Sequence, residues 1–185
     1  MREPPRAGVA AETALAQGVG MGATTSLEAA GPQLRPVIER LWQLFSHDLG
    51  EFRDRPPDPD GSFPEHNLQS FFIADPDHRA YLVRHGDALA GFALVYVTDG
   101  GRQDIQSFFI VRALRRQDVG GAAARALLRG APGRWEIGFQ EENPGAARFW
   151  RRVAQDVAGD AWHEEQRPVP DKPWLPHDHF ILLES

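Results

Sequence analysis

Apolar positions recur along this chain with two periods, and the changes of period divide it into elements. Leu34, Val37, Ile38, Leu41, Trp42, Phe45 and Leu49 follow one another at helical spacing, with Pro36 tolerated in the first turn. Residues 24–28 read as a short strand before that helix, and residues 65–74 as a second helix after it. Pro56, Pro57, Pro59, Gly61 and Pro64 make residues 53–64 a loop. The period then shortens. Arg79 to His85 and Ala88 to Thr98 read as two strands joined at Gly86-Asp87, a hairpin signal.

A strand over 104–112, a helix over 119–129 and a strand over 134–140 form a βαβ unit, expected to be right-handed. Asn143-Pro144 is an N-cap followed by a proline at the first helical position. The helix it opens buries Ala146, Trp150, Val153 and Val157 on one face. Trp162 to Arg167 and Phe180 to Leu183 read as closing strands around a proline-rich loop at 168–176. Neither an internal repeat nor a heptad run occurs.

The segment from Asp104 to Leu128 carries most of the chemistry. An apolar strand enters a basic turn, Arg115-Arg116-Gln117-Asp118-Val119-Gly120-Gly121, which opens directly into an Ala/Leu-rich helix. That order gathers free backbone N–H groups and the positive end of a helix dipole at one point, suited to a pyrophosphate. It resembles the acetyl-CoA-binding core of the GNAT superfamily of N-acetyltransferases. The signature there is a strand, Arg/Gln-x-x-Gly-x-Gly/Ala, and a helix. Asn143-x-x-Ala146-x-x-Phe149-Trp150 further resembles one subset of that family. The order of elements agrees over roughly residues 24–185, read as one domain, with 1–23 as a disordered extension.

The resemblance implies an α/β (α+β) fold: a mixed, mainly antiparallel central sheet with splayed central strands, flanked by about four helices. It implies acetyl-CoA as co-substrate. Backbone groups of Ile110 and Arg112 would take the pantetheine arm and polarise the thioester carbonyl. Residues 115–121 would cradle the pyrophosphate, with Asn143 near the pantetheine. Trp42, Phe45, Phe71 and Phe72, with Phe52, are the candidate acceptor pocket.

Three positions depart from the family pattern. Asp118 stands where glycine is usual; a unit charge ~5 Å from a phosphate at an effective dielectric of ~20 is repelled by about 3 kcal/mol. Ser107 occupies the strand position where relatives often carry a glutamate base, and without a partner it is a poor base. Trp150 stands where many relatives have a tyrosine acid, and its N–H is no usable proton source. Asp104, Glu141 and Glu142 are the substitute acids and bases within reach of the cleft strands, against a solvated role for each.

Two functions therefore stay open. One is acetyl transfer to an amine of a small molecule or protein. The other is a GNAT fold whose degenerate cofactor site serves another reaction on a metabolite, or its binding.

Composition narrows the partners. The 185 residues carry a net charge of −6, which argues against nucleic acid as the partner. Cysteine is absent, so disulfides and thiolate chemistry are excluded, in keeping with a cytoplasmic setting. Lys172 is the only lysine. No apolar run is long enough to span a membrane, and Glu12, Thr13 and Gln17 interrupt any signal-like stretch near the start. Asp58-Pro59-Asp60-Gly61 lacks the ligand positions of a calcium loop, and Gly18-Val19-Gly20-Met21-Gly22 has no strand before it. His177-x-His179 reads as a surface pair, and no metal is expected. The chain would work as a monomer or homodimer.

Overall fold

The computed structural model describes residues 22–53, 55–65, 68–73, 75–170, 174 and 176–185. Seven strands form one sheet: β1 (Thr25–Ala29), β2 (His78–His85), β3 (Ala88–Val97), β4 (Gln103–Ile110), β5 (Arg134–Phe139), β6 (Trp162–Arg167) and β7 (Asp178–Glu184). Their spatial order is β1-β2-β3-β4-β5-β7-β6. Every neighbouring pair is antiparallel except β4 and β5, whose parallel ladder follows from the helical crossover between them. The expected extension over 1–23 lies outside the described residues but for its last two positions.

Three α-helices cover the sheet: α1 (Arg35–Arg53), α2 (Val119–Gly130) and α3 (Pro144–Ala158). Within the segment 65–74, where a helix is expected, the described residues Leu68–Phe72 form a five-residue 3-10 turn, so among the described residues the sheet has three full helices and not about four. The reason is composition: Leu68, Phe71 and Phe72 are all buried, and three apolar anchors within five residues pin the segment in one tight turn. The strand expected over 104–112 also ends early, because Arg112–Leu114 coil into a 3-10 turn.

The two faces of the sheet are sorted by strand alternation. Phe92 and Leu94 pack with Ile38 and Leu41 beneath α1, whereas Ala93 and Val95 pack with Leu127, Leu128, Trp150 and Val153 of α2 and α3. Gly91 is required where β3 meets β4, since a Cβ there would lie 1.8 Å from the Phe109 carbonyl oxygen. Buried polar groups are satisfied: Gln103 donates to the Ala131 carbonyl at 2.8 Å and accepts from Arg79 at 3.3 Å.

Two irregularities of β4 position the site. Its ladder with β5 covers only Gln103–Ile105, so the two strands part beyond that point. In its register with β3, Val95 faces Ile105 and Leu94 faces Ser107, leaving Gln106 as an extra residue. Without that bulge Ile105 and Ser107 would share a face. With it, Ile105 joins the α2/α3 side and Ser107 turns to the α1 side.

Candidate functional site

Where β4 and β5 part, a cleft of about 710 Å³ opens along β4 to the start of α2. Ile110, Arg112, Arg115, Arg116, Asp118, Gly120, Gly121 and Asn143 all line it. Of the residues expected there, only Gln117 and Val119 do not. Gln117 is exposed and donates to the Ala113 carbonyl at 3.0 Å, and the Val119 side chain is core. Val111 N–H donates to the Ala90 carbonyl, so alternation turns the backbone of Phe109 and Val111 toward β3. The backbone of Phe108 and Ile110 then faces the gap that β5 has left. Phe108, stacked on Phe149 with centroids 5.7 Å apart and set edge-on to Trp150, forms the apolar wall. Trp150 is buried.

The turn before α2 is strained at two residues. Arg116 (φ 63°) and Asp118 (φ 58°) are the non-glycine residues of positive φ among those described. Each costs roughly 1 kcal/mol or more in the left-handed region. Asp118 occupies the N-cap of α2 yet caps no N–H with its side chain. Its carboxylate instead accepts from Arg125 at 2.5 Å, and Arg125 donates also to Asp156 at 3.0 Å. Gly121 permits this arrangement, since a Cβ there would lie 2.3 Å from Asp118 Oδ1.

The basic residues divide into held and free. Arg115 donates to the Ile110 carbonyl at 2.7 Å and to Asp48 at 2.5 Å, and Arg112 donates to the other Asp48 oxygen at 3.0 Å. Burial pushes the Asp48 carboxyl up, but the two guanidinium groups outweigh it and hold the carboxyl below its ordinary range. Arg116, exposed at the rim, has no carboxylate partner among the described residues.

A second cavity of about 270 Å³ lies between α1, the 55–65 loop and the bulge of β4. Trp42, Phe45, Phe71 and Ser107 line it together, with Gln106, Arg53, Arg55 and Phe63. Phe45 and Leu49 line both cavities. Phe72 does not reach it and packs in the core, while Phe52 lines the larger cleft. The Ser107 hydroxyl donates to the Gln106 carbonyl at 2.8 Å.

Asp104 and Glu141 line neither cavity. Asp104 accepts twice from Arg102, at 2.9 and 3.2 Å. Glu141 is bound by Arg151, which also donates to Glu164 at 2.8 Å. Glu142 sits exposed in the same turn and lines neither cavity. His179 is no surface residue: its ring packs 5.5 Å from Phe139, and its Nδ1 lies 2.6 Å from Glu164. Glu141, Glu164 and His179 present three potential ligand atoms within 4.8 Å of one another, but Arg151 already binds both carboxylates.

Residues 38–154 match the model of the acetyltransferase (GNAT) family. The chain belongs to that family. Membership makes acyl transfer its general chemistry. No curated protein sequence gives a match. Among solved structures, an acetyltransferase from Thermus thermophilus is similar at TM-score 0.63 and 16% identity, covering 88% of this chain and 97% of that one. A probable GNAT acetyltransferase from Chromobacterium violaceum gives 0.58 and 19%, over 97% and 96%. An aminoglycoside acetyltransferase solved with coenzyme A and kanamycin gives 0.62 and 14%, over 88% and 95%. These likenesses are of fold. None of the helices described is long and apolar enough to cross a membrane.

Sequence reasoning missed Asp48, Arg125, Phe108, Arg53 and Arg55, and read Phe149 only as part of a family motif. Asp48 carried a signal: with Phe45 and Phe52 it falls on the apolar stripe of α1, where a carboxylate needs a partner. Arg125, two turns along α2 from Asp118, was readable by the same spacing. Asp156 was not.

Proposed function

We propose that this GNAT protein transfers an acetyl group from acetyl-CoA to the amine of a small molecule. The observation that carries the reading is the gap between β4 and β5 leading to an uncapped helix N-terminus. The backbone of Phe108 and the Ile110 N–H face the gap, where an extended arm can pair as a strand would, while the Ile110 carbonyl is held by Arg115. At its end, the first-turn N–H groups of α2 await an anion, Gly120 and Gly121 present no side chain to it, and Arg116 stands free at the rim. Two strained residues at this turn fit a binding role better than a mere connection. The Asp118 charge, which argued for a degenerate site, is matched by Arg125.

Acetyl-CoA supplies the acyl group as a thioester. The protein's part is placement. The smaller cavity, sharing Phe45 and Leu49 with the cleft, is the acceptor's seat. Among the described residues its lining includes no His, Asp or Glu, so positioning of an already neutral amine, with water taking its proton, carries the step. An amine acceptor accords with the kanamycin-bound relative.

Calorimetric titration with acetyl-CoA tests the reading. Binding should be measurable and should raise the melting temperature by mass action. No heat at millimolar acetyl-CoA would sink it and favour a repurposed cleft.

A further inference from the structure

The smaller cavity has a charge that neither the acidic chain nor the family membership foretells. Among the described residues its lining contains two cations, Arg53 and Arg55, and no anion. We infer that the acceptor is an amine that also carries an acidic group. It is a molecule of amino-acid size whose carboxylate is held by Arg53 and Arg55 and whose apolar part lies among Trp42, Phe45 and Phe71. The inference deepens the acyl-transfer reading and rests on it.

The two arginines are brought to the cavity lining by a built segment. α1 ends at Arg53, and the chain folds back so closely that a Cβ on Gly50 would lie 2.9 Å from the Arg55 carbonyl oxygen. The returning loop is fastened to α1 by four hydrogen bonds. Gln43 accepts from Phe63 N–H at 2.7 Å and donates to the Phe63 carbonyl at 3.0 Å and to the Glu65 carboxylate at 3.1 Å, while Trp42 donates to the Pro64 carbonyl at 2.9 Å. Neither Arg53 nor Arg55 has a carboxylate partner among the described residues, in contrast to Arg112, Arg115 and Arg125.

Size and placement limit the ligand. The cavity, at about 270 Å³, falls below the roughly 300–1,000 Å³ of pockets for drug-sized ligands. One ring or short aliphatic chain fits it. The wall shared with the cleft, Phe45 and Leu49, lets an acceptor anchored by its acid present its amine there. Guanidinium groups match carboxylates in geometry and repel ammonium groups. A polyamine would therefore meet like charge at the mouth.

The test uses probes that differ in one group. Phenylalanine and phenethylamine share a ring and an amine and differ by the carboxylate; spermidine is the polycation. With acetyl-CoA, and rates referred to the free-base fraction, phenylalanine should exceed phenethylamine in kcat/KM by roughly tenfold or more, the worth of one charge-assisted hydrogen bond. The variant R53Q/R55Q should bring the ratio near one, and R53K/R55K should retain part of it. Equilibrium binding of 3-phenylpropionate, which has no amine to acylate, gives a readout independent of turnover. It should bind the wild type and lose at least about tenfold in R53Q/R55Q. Preference for phenethylamine or spermidine, or no binding of 3-phenylpropionate at millimolar concentration, overturns the inference. Failure of acetyl-CoA to bind would instead strike the acyl-transfer reading, and 3-phenylpropionate binding would still decide the acid pocket.

Discussion

Asp118 and Arg125 form a closed pair at the head of α2, with the carboxylate accepting from the guanidinium at 2.5 Å and Asp156 holding the second arm of Arg125 at 3.0 Å. The pair answers the objection that an aspartate at this turn repels phosphate. It also makes Arg125 the more sensitive position. Asp118→Gly removes a left-handed strain of roughly 1 kcal/mol and an exposed ion pair worth about 0–1 kcal/mol, so stability should hardly move. Arg125→Ala leaves the carboxylate bare beside the expected pyrophosphate. Its affinity for acetyl-CoA should fall by roughly 10–100-fold, and Asp118→Gly on that background should restore most of it. Calorimetry on the four proteins of the cycle checks this. A double variant as weak as Arg125→Ala would show that Arg125 acts by its own charge.

Asp48 ties Arg112 and Arg115 to α1 and so competes for two cations at the cleft mouth. Asp48→Asn should release them. The KM for acetyl-CoA should drop severalfold and depend more steeply on salt, while the melting temperature falls. The sign with pH follows from the depressed carboxyl. The tie is fully present above the ordinary value of 3.8 and opens only as acid carries the pH through the lower folded value. A KM that rises in Asp48→Asn would mean that the tie positions the arginines for the cofactor.

Glu164 joins α3 to the far edge of the sheet. Hydrogen bonds from Arg151 are the main cause, opposed by burial and aided by His179, that bring its carboxyl from 4.5 down to about 2. The stabilisation this represents, on the order of 3 kcal/mol, is present above pH 4.5 and lost as pH falls toward 2. Glu164→Gln should melt well below wild type at neutral pH, and the two curves should converge in acid. A constant gap across pH would mean that the side chain contributes by packing alone.

The pattern of periods located all seven strands and the three long helices, because each is bounded by a turn residue or a cap: Gly86-Asp87, Asn143, Pro144. It misjudged Leu68–Phe72, where a helical spacing of buried aromatics also suits a single 3-10 turn. The basic turn before α2 was legible since its residues are contiguous. Its electrostatics were not, because Asp118 meets Arg125 and Asp156, and Arg115 meets Asp48, through folding. The smaller cavity fared in the same way. Trp42, Phe45 and Phe71 stood out as aromatics, but the bulge at Gln106 that turns Ser107 toward them is a matter of register with β3, and no local spacing reports it.

Ser107 faces the smaller cavity with its hydroxyl spent on its own strand, donating to the Gln106 carbonyl at 2.8 Å. Among the described residues it has no histidine or carboxylate beside it in that cavity to make it a base. Ser107→Ala should therefore leave kcat within about threefold of wild type, in contrast to the roughly 10²–10⁴ that a general base contributes. The pH profile should belong to the acceptor: kcat/KM should climb about tenfold per pH unit until the amine is neutral, and the break should move when an amine of different basicity is used. Ser107→Glu places a carboxylate where it can take the proton. The profile should then flatten near neutral pH, with the largest gain for the most basic amines. Rates across pH for two amines with wild type, Ser107→Ala and Ser107→Glu decide it. If the wild-type break stays fixed while the amine changes, a protein group is the base, and Ser107→Ala then shows whether that group is Ser107.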